Sequence, residues 1–156
     1  MQQTSLSTIK DFLNQRRIAF VGISRDPKDF SRTLYDEFKR RGYDVVPVNP
    51  NMPTLDDQTC YARVQDIQPP VDGALVLTSP RVTEQVVRDC AAAGVKHVWM
   101  QRGEGIGSVS DDAVSFCQQN GIQVVPGQCP FMFLPKTLFF HHIHGFVKKL
   151  NHTYPV

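Results

Sequence analysis

The sequence predicts an α/β fold: a doubly wound, five-stranded parallel sheet with helices on both faces and one extra helix at the C-terminus. Three observations predict it. Five short apolar runs recur along the chain, with amphipathic stretches between them. The runs are largely continuous rather than alternating, as expected of strands covered on both faces. Turn residues divide each strand-like run from its helix-like neighbour. At 156 residues the chain suits a single domain with one hydrophobic core. That domain is expected to span 1–156, with its core at about 16–130 and a helical tail at about 131–156.

Each element follows in order. Residues 5–15 read as a short helix with Ile9, Phe12 and Leu13 on one face. The first strand is Ile18 to Val21. Ser31 is expected to cap a helix from Arg32 to Arg41, with Leu34, Tyr35 and Phe38 turned inward and Gly42 just past its end. The second strand is "YDVVPV", Tyr43 to Val48. An Asn- and Pro-rich loop leads to a helical turn near Tyr61 to Asp66, then to the third strand, Val71 to Leu77. Pro80 suits the start of the next helix, which ends at Gly94. The fourth strand is Lys96 to Gln101. Ser110 caps a helix with Asp111 and Asp112 in its first turn, where the helix dipole favours negative charge. That helix stops at Asn120 and Gly121, and "IQVV" forms the fifth strand.

The tail is aromatic-rich and reads as one more helix, about Leu138 to Leu150, packed on the body or across a homodimer interface. Its stripe of Phe131, Phe133, Phe139, Phe140 and Phe146 is best explained by packing. "HHIH" places His141 and His144 on one helical face without an obvious third ligand, so no metal site is expected. Trp99 is expected in the core.

Composition narrows the function. A net charge of +2 is too small to argue for nucleic acid or an anionic membrane as partner. No apolar run approaches the roughly 20 residues of a membrane span, and the N-terminus lacks a signal peptide's apolar centre. Cys60, Cys90, Cys117 and Cys129 are scattered and form no C-x-x-C pair. A cytoplasmic protein with reduced thiols is expected.

In an open parallel sheet, ligands bind beyond the carboxyl ends of the strands, where strand order reverses. After strand one stand Gly22, Ser24, Arg25, Lys28, Ser31 and Arg32. A dinucleotide fingerprint starting at Gly22 would put glycines at 24 and 27, where Ser24 and Pro27 stand. The helix start and three cations suit a phosphate-rich ligand; a solvated basic loop explains the same residues. After strand two, Val48, Asn49 and Pro50 replace the acid that would bind an NAD ribose. That suits a ribose carrying a phosphate, although a proline-stiffened turn needs no ligand. Thr78 and Ser79 follow strand three, and a glycine-rich "MQRGEGIGS" closes strand four. "PGQCPFMFLP" follows strand five and is expected to put Cys129 at the cleft mouth. Cys129 is either a reactive thiol or a small buried residue.

The succession "VGIS", "GYDVVPVNP", "LTSP", "HVWMQRG" and "GQCPFMFLP" resembles the small stand-alone CoA-binding proteins. These are similar to the N-terminal CoA-binding domain of the succinyl-CoA synthetase α subunit. The resemblance covers roughly residues 16 to 135 and implies a Rossmann-like fold with CoA across the loop ends. It implies Gly22, Ser24 and Arg25 at the phosphates, Val48, Asn49 and Pro50 at the adenosine, and Thr78, Ser79 and Gln101 near the pantetheine arm. The first loop carries fewer glycines than the synthetase type, which shifts phosphate contacts toward Lys28, Ser31 and Arg32. The synthetase's phosphorylated histidine lies in a second domain that has no room here, so ligase activity is not expected. The reading is a non-catalytic sensor or carrier of CoA or acyl-CoA. The alternatives are an NAD(P)-binding redox module and an acyl- or thiol-transfer enzyme using Cys129.

Overall fold

The computed structural model describes residues 4–103 and 105–135. The chain runs α1 (Leu6–Leu13), β1 (Arg17–Val21), α2 (Phe30–Arg40), β2 (Asp44–Val48), β3 (Thr54–Leu55) and β4 (Gln58–Thr59). It continues through a 3-10 turn (Val64–Asp66), β5 (Gly73–Val76), α3 (Pro80–Ala92), β6 (His97–Gln101), α4 (Asp111–Gln119), β7 (Gln123–Gln128) and a second 3-10 turn (Pro130–Met132). The expected five-stranded parallel sheet is present, in the order β2-β1-β5-β6-β7. This is the doubly wound order in which the chain starts near one edge, steps outward, then returns across β1 to fill the other side.

Successive side chains of a strand point to opposite faces, and the core is divided accordingly. Ile18, Phe20, Leu75, Trp99 and Val125 pack with Ile9 and Phe12 of α1 and with Leu34, Tyr35 and Phe38 of α2. Ala19, Val21, Ala74, Val76, Val98 and Met100 pack instead with Val86, Val87 and Cys90 of α3 and with Ala113 and Cys117 of α4. Trp99 is fully buried, as expected, and donates its indole N–H to the Gln128 carbonyl at 2.8 Å.

Three local expectations need correction. Helix α2 begins at Phe30 with Asp29 as its cap, not at Arg32 with Ser31. Asp29 is the better-placed acceptor: its carboxylate takes the Ser31 amide at 2.8 Å, and Ser31 is left inside the first turn. The turn expected at Tyr61 to Asp66 is shorter, because Tyr61 instead bridges in parallel to Val48 and extends the β2 edge. The β3–β4 hairpin was not expected. Its two-residue turn puts Asp56 (φ 48°) and Asp57 (φ 64°) in the left-handed region. Such turns are usually announced by Asn-Gly or Asp-Gly, so an Asp-Asp pair hides the signal.

The Ser110 cap is as expected, its hydroxyl accepting from the Ala113 amide with Asp111 and Asp112 in the first turn. The expected tail helix, with His141, His142, His144, Phe139, Phe140 and Phe146, lies outside the described residues. Among the described residues, no helix is long and apolar enough to cross a membrane. Nor do three or more His, Cys, Asp or Glu gather there as a metal would require.

Candidate functional site

Strand β1 lies between β2 and β5, so the loops leaving β1 and β5 part at this point and open a crevice. Gly22 holds the two loops close. Its φ is +92°, and a Cβ there would stand 2.8 Å from Thr78 Cγ2 and 3.1 Å from the Leu77 carbonyl carbon. Its amide donates to the Val48 carbonyl at 2.9 Å, so this residue joins three strand ends. Only glycine meets both demands.

Beside Gly22 opens a cleft of about 460 Å³ on the α3 face. It brings together six of the residues expected from sequence: Gly22, Val48, Asn49, Pro50, Thr78 and Ser79. Its walls are mostly apolar, with Val21, Val48 and Pro50 on the sheet side, Val64 on the connecting turn, and Val82 and Val86 on α3. Ser79 is the N-cap of α3 but makes no side-chain capping bond, so its hydroxyl is available at the cleft. Thr78 is held by Thr83, their hydroxyls 2.8 Å apart, and Thr83 is fully buried.

The cationic loop after β1 is arranged differently. Ser31 Oγ accepts from the Ser24 amide (3.0 Å), Ser24 Oγ from the Asp26 amide (3.0 Å) and Asp26 Oδ1 from the Lys28 amide (2.9 Å). With Asp29 on the Ser31 amide, four amides that an anion would seek already have side-chain acceptors. Arg25 donates to the Asn51 carbonyl at 3.0 Å. Arg32 donates to the Arg25 carbonyl and pairs with Asp56 at 2.5 Å, and its side chain is only 7% exposed. Of the three cations, Lys28 extends from the exposed turn, whereas Arg32 braces the hairpin. Counting cations in the sequence passed over Asp26, Asp29 and Asp56.

Asn49 ties the two loops together. Its amide donates to the Ile23 carbonyl at 2.8 Å while its carbonyl oxygen takes the Asn51 amide at 2.8 Å. Tyr35 anchors the hairpin by donating to Gln58 Oε1 at 2.7 Å. Burial, and then the nearby Asp56 charge, push the Tyr35 hydroxyl up to about 12, so it stays protonated.

The last two expected residues do not line this cleft. Gln101 ends β6, where the glycine-rich loop folds back on the strand. A Cβ on Gly107 (φ +64°) would stand 2.5 Å from the Gln101 carbonyl oxygen, so the return is possible only with glycine. Ser108 then sits with its hydroxyl 2.9 Å from the Val76 carbonyl and 3.0 Å from that of Gln101, closing the β5 and β6 ends. Cys129 was expected at the cleft mouth. It is instead 6% exposed and belongs to the core cluster on the α1–α2 face, opposite the α3-face cleft. The strand alternation that turns Val125 toward that face also carries the end of β7 away from the cleft. Burial raises the thiols of Cys60, Cys90 and Cys117.

Sequence reasoning missed the polar end of the cleft. Arg63, Gln85 and Asp89 line it. Arg63 Nη2 donates to Asp89 Oδ1 at 2.6 Å, and Gln85 Nε2 donates to the same oxygen at 3.0 Å. Burial raises the Asp89 carboxyl, but bonds from Arg63, Gln85 and Gln65 outweigh it and hold the group below the ordinary carboxylate value. The available signal was an acid next to Val86, Val87 and Cys90 on the buried side of α3, because a carboxylate there needs a partner.

Comparison with known proteins bears on the family and the fold. Residues 16–135 match the family model described as a CoA binding domain. The chain is 26% identical over 125 residues to the α subunit of acetate–CoA ligase [ADP-forming] II from Pyrococcus furiosus, a match covering 76% of this chain and 27% of that one. It therefore spans only about a quarter of the length of that curated relative. It is 25% identical over 130 residues to the uncharacterized protein YneT of Bacillus subtilis, covering 83% of this chain and 93% of that protein. Among solved structures, a hypothetical protein from Pyrococcus horikoshii OT3 superposes with a TM-score of 0.73 at 25% identity, covering 83% of this chain and 94% of the other. The family match spans the whole of the Rossmann-like sheet, from β1 to β7, and this chain belongs to the CoA-binding domain family.

Proposed function

We propose that this protein binds coenzyme A or an acyl-CoA at the carboxyl ends of β1, β2 and β5, and acts as a non-catalytic sensor or carrier. The observation that carries the reading is the cleft at the β1/β5 switch point, which gathers Gly22, Val48, Asn49, Pro50, Thr78 and Ser79. Its apolar walls suit the adenosine, packed between the loop after β2 and helix α3. The diphosphate lies toward Gly22 and Ser79, where a bare backbone and a helix start meet. Lys28 and Arg25 add attraction from the rim. The pantetheine arm then leaves past Thr78 toward Gln101.

A non-catalytic role is favoured because Cys129, the candidate nucleophile, is buried in the core on the opposite face. The ligase activity named for the archaeal relative stays with that protein, of which this chain matches 27%. Free cysteines throughout fit a reducing, cytoplasmic setting.

Calorimetry tests the reading. CoA, acetyl-CoA and adenosine 3′,5′-bisphosphate should each bind and raise the melting temperature. Absence of binding by all three would overturn it. Displacement of CoA by NADP at lower concentration would point to the redox module instead.

A further inference from the structure

Another cavity, of about 470 Å³, lies beside β7 and shares no lining residue with the cleft around Gly22. One wall is α4, where Asp111, Ser115 and Gln118 recur at helical spacing along one stripe, with Val114 beside them. The glycine-rich loop after β6 forms the other wall with Arg102, Ile106 and Val109, and Pro126 of β7 completes the lining. Arg102 is half-buried and held in place. Its side chain packs over β7 at Gly127, where a Cβ would stand 3.3 Å from Arg102 Cδ. Its Nε donates to the Gly105 carbonyl at 2.7 Å, whereas its two terminal nitrogens make no hydrogen bond among the described residues. Asp111 is exposed, and among the described residues no ion pair joins it to Arg102 or to any other cation.

One cation and one anion thus line the same cavity without neutralising each other, among apolar side chains. A simple anion would suit Arg102 and be repelled by Asp111, and a simple amine would face the reverse. A compact head carrying both charges satisfies both. The planar guanidinium, with two nitrogens still to donate, suits a carboxylate in particular. An apolar body on that head would cover Ile106, which is 70% exposed, and lie against Val109, Val114 and Pro126. We propose that this cavity binds a free α-amino acid with an apolar side chain, its carboxylate on Arg102 and its ammonium group on Asp111. The volume is in the range of roughly 300–1,000 Å³ usual for small-molecule sites. The inference does not rest on the CoA reading, because the two cavities are lined by different residues.

Calorimetry on the whole protein tests it with three probes. They are leucine, 4-methylpentanoate, which lacks the amine, and 3-methylbutylamine, which lacks the carboxylate. Leucine should bind at least about tenfold more tightly than either single-charge analogue. Asp111→Asn keeps the size of the side chain but removes its charge, and should weaken leucine binding at least about fivefold. Arg102→Gln should weaken it at least about tenfold. If the Arg102 variant fails to fold, Ile106→Asp serves: the site is exposed, so the unliganded melting temperature should hold while leucine affinity falls. No leucine binding at millimolar concentration overturns the proposal. Equal binding of either analogue overturns the two-charge recognition, and unchanged leucine affinity in the folded variants overturns the placement.

Discussion

Two regions flank Gly22, and both looked like ligand contacts from their sequence. The loop from Ser24 to Arg32 is rich in charge but closed on itself: its amides are taken by Ser24, Asp26, Asp29 and Ser31, and Arg32 by Asp56. The cleft on the α3 side is open and mostly apolar, with the Arg63–Asp89 pair at one end and Ser79 making no side-chain capping bond at the start of α3. The difference teaches that a count of charged residues does not show which of them are left to meet a ligand, because folding pairs most of the charges in the first loop with its own acceptors and leaves the open space on the other side of Gly22. Arg25 and Arg32 act mainly on the loop itself and on the segments beside it.

The largest effect is expected where the two regions meet. Gly22→Ala forces a left-handed backbone on alanine, costing about 1–3 kcal/mol, and drives a methyl into Thr78. Urea denaturation should show that loss, together with at least a tenfold drop in CoA affinity. Next comes a substitution confined to the cleft. Ala62 is exposed and lines the slot, so Ala62→Trp should fill it and weaken CoA binding about tenfold while leaving the melting temperature nearly unchanged. Unchanged affinity would move the adenosine out of the slot.

In the first loop the effect should be smaller and salt-dependent. Lys28→Glu should weaken binding about threefold at low ionic strength and almost not at all in about 1 M salt, because exposed charges act over a screened distance. A loss that persists in high salt would show Lys28 in direct contact. The smallest effect concerns pH. Because the Asp89 carboxyl is held below its ordinary value when folded, its contribution to stability is fully present above the unfolded value of about 3.9 and fades as pH falls through the folded value. The stability gap between wild type and Asp89→Asn should therefore shrink below about pH 4 in acid titrations. A gap constant from pH 7 to pH 2 would contradict the ion pair.

The sheet was legible because strands buried on both faces leave continuous apolar runs, and Trp99 among them could hardly lie elsewhere. The cap on α2 was less so, since Asp29 and Ser31 compete for the same role and only backbone geometry decides between them. The β3–β4 hairpin was hidden by Asp56 and Asp57, whose left-handed turn is stabilised by the distant Arg32 rather than by a local glycine. Six residues of the cleft lining were readable from the loops after β1, β2 and β5, because switch-point geometry fixes where those loops meet. Arg63, Gln85 and Asp89 were not, because they come from a connecting turn and the middle of a helix, and only packing brings them to one end of the cleft. Cys129 failed for a related reason: being near a strand end in sequence does not say which face of the sheet a side chain joins.

The central claim is that CoA occupies the α3-side cleft and not the charged loop alone. Amide hydrogen exchange of the whole protein, with and without saturating CoA, tests it most directly. The account predicts strong added protection at residues 48–51, 62–64 and 78–82, with weaker protection at 24–32. Protection confined to 24–32, or found at the β7 edge and absent from the cleft, would contradict it.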